Sequence, residues 1–242
     1  DLESAFLTGS AATSAAGVIT SNGTGGGLWS ATTTWTGGVV PTATDNVTIL
    51  NGDVVTLDGI TPVCNNLTIG GGTSGTLEYQ ATPLAGLTVN GNLTVAAGGT
   101  FSAGTGTLAT HTLNIGSATG AESGVSGSLI NNGIFDLNTT AGVTTTFLGS
   151  GNESISGTGS TTDFYAITVN KGITRTGATL DVTIPITMSI ATVSAARLVI
   201  TTGTFKISSA TDITPVGGTQ TVVGAGGRLW LNHASAVYTG GN

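Results

Sequence analysis

The chain has 242 residues, of which only 7% are charged, and a formal net charge of −7; ordinary soluble domains carry roughly 25% charged residues. A hydrophobic share of 38% and a mean hydropathy of +0.33 set it apart from disordered chains. Lys171, Arg175, Arg197, Lys206 and Arg228 are the whole basic complement. They are too few and too dispersed for nucleic acid, and no apolar run approaches the ~18 residues needed for membrane insertion.

Residues 1–28 read as an N-terminal extension: a cap, a first coil or a donor strand. Phe6, Leu7, Val18 and Ile19 are its candidate assembly residues. Opening on Asp1 rather than Met fits a removed secretion signal, so the expected location is secreted or at the cell surface. Gly25-Gly26-Gly27 reads as a tight turn into the body, residues 29–242. Trp29 and Trp35 then bracket a Thr-rich stretch and are expected to form a lid on the first coil, with sugar stacking as the other use of such rings.

From Asp45 onward the chain repeats itself. Asn46-Val47-Thr48-Ile49, Asn66-Leu67-Thr68-Ile69 and Asn92-Leu93-Thr94-Val95 share one pattern. Leu87-Thr88-Val89 and Leu113-Asn114-Ile115 follow earlier copies at an interval like that from Asn46 to Asn66, and read as further rungs. Such a period, with inward and outward residues alternating, predicts an all-β parallel β-helix (β-solenoid) with coils of about 20 residues. Its competitor is an antiparallel β-sandwich, because Asn51-Gly52, Asn90-Gly91 and Asn132-Gly133 are also hairpin signals. In a solenoid these pairs become corners, with Asn and Gly supplying left-handed backbone. Some ten coils are expected in all. The last strands are Arg228-Leu229-Trp230-Leu231 and the segment holding Val237 and Tyr238. No polar cap follows, so this end is expected to continue or to dock.

Residues with reactive side chains are sparse. Cys64 is alone and reads as a buried hydrophobe. His111 lies in a strand, where it is expected to point outward, and His233 is over a hundred positions away. Asp45 is expected near the level of Asn65 and Asn66. Calcium, which takes oxygen ligands, is the one cofactor such a corner suggests. Asp136, Asp163 and Asp181 are the carboxylates that a polysaccharide-degrading β-helix enzyme would need on one face. Paired Thr-X-Thr rows, as on ice-binding solenoids, do not recur at the coil period. Six Asn-X-Ser/Thr sequons, including those at Asn46, Asn66 and Asn92, read as by-products of composition.

The stretch Thr34-Trp35-Thr36-Gly37-Gly38-Val39-Val40-Pro41, continuing to Ile49, resembles the repetitive β-helical segments of large secreted bacterial surface proteins of Bacteroidetes type. The likeness extends over residues 28–140. It implies an extracellular, non-catalytic role, without an active site to carry over. The expected function is therefore a structural solenoid of a filament, sheath or adhesin, self-associating through strand and coil edges. A glycan-binding module that uses Trp29, Trp35 or Trp230 is the alternative partner reading, and an enzyme is not expected.

Overall fold

In the computed structural model, described for residues 17–105, 110–117, 124–139, 142–188, 197–210, 212–213 and 221–238, the chain winds as a parallel β-solenoid of about seven coils. All paired strands run parallel. The antiparallel sandwich is excluded. Phe6 and Leu7 lie outside the described residues.

Three faces recur in each coil. The first stacks Val18–Thr20, Asn46–Ile49, Leu67–Ile69, Leu93–Val95, Leu129–Asn131, Glu153–Ser156 and Thr179–Val182. The second stacks Gly26–Leu28, Val54–Leu57, Thr76–Tyr79, Thr100–Ser102, Ile134–Asp136 and Thr161–Asp163. The third stacks Val63–Cys64, Gly86–Val89, Thr110–Ile115, Gly142–Phe147 and Ala166–Asn170. In the last two coils the third and first faces merge into single long strands, Leu198–Ile207 and Thr221–Leu231, which pair with each other.

Register explains the repeat. Val47 pairs with Leu67, and Leu67 pairs in turn with Leu93, the second step being the longer. Leu87 does not sit above Leu67. It pairs with Leu113 on the third face, a step as long as that from Leu67 to Leu93. The similar triplets therefore form two parallel files, not one.

Alternation makes the core. Val47, Ile49, Leu67, Ile69, Leu93 and Val95 point inward and are fully or almost fully buried, while the threonines between them face out. Phe101, Phe135 and Phe164 follow one another up the axis, with ring centroids 5.7 and 4.9 Å apart. Dispersion among such rings adds to their burial. Cys64 is fully buried and its thiol is pushed up to about 12, first by burial and then by the charge of Asp45. The sulfur is therefore an unreactive part of the core.

The Asn of the repeated motif has a structural task. Asn46 Oδ1 accepts from Asn65 Nδ2 at 3.0 Å and from Asn66 Nδ2 at 2.7 Å. Asn66 Oδ1 accepts from the Asn92 amide at 2.8 Å, and Asn92 Oδ1 from the Ser128 amide at 2.9 Å. These side chains fasten one corner of each coil to the next. No Asn among the described residues adopts the left-handed backbone expected of it, since every positive φ belongs to a Gly. At Gly98 (φ +76°) a Cβ would also lie 2.4 Å from the Thr73 carbonyl oxygen, so only Gly closes that corner.

Candidate functional site

At the start of the solenoid, Trp29 and Trp35 meet edge to face with centroids 4.9 Å apart, and Trp35 Nε1 donates to the Trp29 carbonyl at 2.8 Å. Both join the core at 0 and 2% exposure. Neither indole is open to a sugar, which removes both from the glycan reading. Asp53 ties the preceding turn to this end. Its carboxylate accepts from Ser21 Oγ (2.5 Å), Gly23 N (2.8 Å) and Gly25 N (2.8 Å). Burial pushes the Asp53 carboxyl up, but these three donors outweigh it and hold it below the usual carboxylate range. Val18 and Ile19 belong to the strand that opens the first face; Val18 is exposed and Ile19 packs against the core.

Asp45 does lie level with Asn65, whose amide donates to the Asp45 carbonyl at 2.8 Å. Its carboxylate is taken by the Thr42 hydroxyl and amide and by Gly17 N, and these hydrogen bonds, Thr42's first, hold its pKa down. Among the described residues no group of three or more His, Cys, Asp or Glu side chains converges as a metal site.

Of the three separated carboxylates, Asp136 and Asp163 do come together, in register on neighbouring rungs of the second face. Burial, reinforced by the charge of Asp163, raises the Asp136 carboxyl against the hydrogen bond from the Asn138 amide. Asn138 Nδ2 donates to both oxygens of Asp163, at 3.2 and 3.3 Å. Asp181 stands apart on the first face, paired with Lys206 at 2.8 Å. The trio therefore does not line one face.

His111 overturns its expected placement. It points inward and is fully buried, its ring stacked 4.8 Å from that of Tyr79. Nδ1 accepts from the Ala85 amide at 3.0 Å, and Nε2 has no partner among the described residues. Burial lowers the His111 pKa. A second buried polar group that sequence reasoning missed is the ion pair of Glu153 with Lys171, 2.6 Å apart at one corner. Gly127 N donates to Glu153 Oε1 at 2.6 Å, and Lys171 Nζ donates to the Leu148 carbonyl at 3.1 Å.

The outward residues of the first face form in-register rows. Thr20, Thr48, Thr68 and Thr94 make a single file of threonines, which does recur from coil to coil although no Thr-X-Thr pair does among the described residues. Higher up, Asp181, Lys206 and Trp230 follow one another across three rungs. Trp230 is 38% exposed. Lys206 Nζ lies 5.1 Å and the Arg228 guanidinium carbon 4.6 Å from its ring centroid. Val222, Val223 and Leu231 on the same strand as Trp230 are also exposed. Val237–Tyr238 pairs through its backbone with Asp212–Ile213.

In comparisons with known proteins, residues 34–119 match the family model of the G8 domain. The match runs from the Trp35 lid into the third face and takes in less than half of the chain. No curated protein and no solved structure matches.

Proposed function

We propose that this chain is an extracellular structural element, a β-solenoid rod from a bacterial surface filament, sheath or adhesin that associates with further copies through its strand edges. The fold and the G8 match support an extracellular structural or binding module, because G8 domains are typically found in extracellular proteins. The resemblance of residues 28–140 to secreted surface repeats supports the narrower reading. The observation that carries self-association is the outermost described rung. Thr221–Leu231 pairs with Leu198–Ile207 on one side only among the described residues, and it exposes Val222, Val223 and Leu231. A parallel edge flanked by apolar side chains, where no further rung covers it, templates another strand.

Sedimentation velocity across a hundredfold concentration range, with negative-stain electron microscopy, tests this. Concentration-dependent end-to-end species that disappear in Val223→Lys support association. A monomer at every concentration refutes it.

A further inference from the structure

We infer that the side of the solenoid around Trp230 is a binding site for an acidic saccharide, a sugar chain bearing carboxylate or sulfate groups. This goes beyond the scaffold role, because Lys206, Arg228 and Trp230 project from the outward side of their rungs and not along the backbone edge where rungs would join.

The first argument is the use of tryptophan. Two of the three indoles are sealed in the core, whereas Trp230 stands on an outward position with 38% of its surface exposed. Its surroundings are polar. Ser208 and Asn232 continue the rungs that carry Lys206 and Trp230, Asn232 Nδ2 donates to Ser208 Oγ at 3.3 Å, and Thr183 lies at the neighbouring position below. An indole beside hydroxyl and amide groups on a flat sheet offers a sugar ring both an apolar platform and hydrogen-bonding partners.

The second argument is the use of positive charge. Only five cations serve a chain of net charge −7. Lys171 is consumed by Glu153 inside a corner. Arg197 is 3% exposed, donating to the Tyr165 carbonyl and stacking on its ring. Arg175 donates to the Ala225 carbonyl at 2.8 Å. The remaining two, Lys206 and Arg228, converge on the exposed indole. Lys206 is balanced by Asp181, while Arg228 forms no ion pair among the described residues. A guanidinium with its donors open presents a planar fork suited to carboxylate or sulfate. The same two cations give a neutral sugar no advantage, and they fall far short of what a nucleic-acid backbone requires.

The test titrates the full chain with polygalacturonate, dextran sulfate and uncharged dextran, following indole fluorescence and calorimetric heat. The expected result is binding to a charged polymer, weakened by salt, with at least tenfold weaker binding to dextran. Preference for polygalacturonate assigns a carboxylate as the recognised group, and preference for dextran sulfate assigns a sulfate. Arg228→Gln is exposed and outward, so it should keep the unfolding midpoint while losing tenfold or more in affinity. Trp230→Ala should lose as much, and Trp230→Phe should recover part. Failure to bind either charged polymer overturns the proposal, as does equal affinity for dextran. Unchanged binding by Arg228→Gln and Trp230→Phe, together with Trp230→Ala where it folds, also overturns it.

Discussion

Asn66 stands one rung above Asn46 with its Nδ2 2.7 Å from Asn46 Oδ1, and its own Oδ1 receives the Asn92 amide 2.8 Å away. The side chain thus bonds both downward and upward at a corner where the backbone ladder turns. Asn66→Ala deletes both bonds, and at roughly 0.5–1.5 kcal/mol for each net hydrogen bond the expected loss is about 1–3 kcal/mol in urea unfolding. Gly91→Ala should lose stability at the same corner, because a Cβ there would lie 2.3 Å from Asn66 Oδ1. Thr68→Ser, on the outward file, is the control and should stay within about 0.5 kcal/mol.

Asp53 makes the N-terminal end sensitive to acid. Its folded pKa lies below the ordinary 3.8, so its contribution is fully present above that value and fades as pH falls through the folded pKa. In a Trp230→Phe background, emission from Trp29 and Trp35 should shift as this end loosens below about pH 4. Asp53→Asn should show the loosened signal already at neutral pH and lose the acid transition.

The buried Glu153–Lys171 pair predicts strong non-additivity. Lys171→Met leaves a buried carboxylate without its cation and should cost about 3–5 kcal/mol. Adding Glu153→Leu removes that charge, and the double variant should regain a large part of the loss despite stranding the Gly127 amide. Thermal unfolding of the two singles and the double reads the coupling.

His111 predicts the opposite pH dependence to a paired histidine. Its folded pKa is lowered from 6.5 by burial, so the unfolded chain takes up a proton that the fold refuses. Stability should therefore fall as pH drops below about 6.5 and level off below the folded pKa. His111→Leu should flatten this slope between pH 7.5 and 5.5. It should also cost about 1–3 kcal/mol at neutral pH, since the Ala85 amide loses its acceptor.

The solenoid was legible in the sequence because one rule, β-branched or leucine residues alternating with Thr after an Asn, was obeyed on several rungs. The identity of the faces was not legible. Leu67-Thr68-Ile69 and Leu87-Thr88-Val89 look alike, yet they belong to different faces, since a triplet records only which side is inward. His111 carried a usable signal: it shares parity with Leu113 and Ile115 in the Thr110–Ile115 strand, and parity alone places it inside. Glu153 and Lys171 carried none, because their pairing depends on a corner whose path the spacing does not encode. Trp29 and Trp230 are equally apolar in composition. Only the three-dimensional arrangement separates a core ring from an exposed one.

The central claim is the parallel stack itself, and spin-label distances test it most directly. Thr48, Thr68, Thr94, Ile130 and Ser156 occupy successive rungs of one outward file. In a Cys64→Ala background, nitroxide labels at Thr48 and Ser156 should lie four rungs, or about 19 Å, apart, and moving the upper label down to Ile130 should shorten that by about 5 Å. A Thr48–Ser156 separation beyond about 30 Å, or one that does not shorten on stepping down a rung, would contradict the stack.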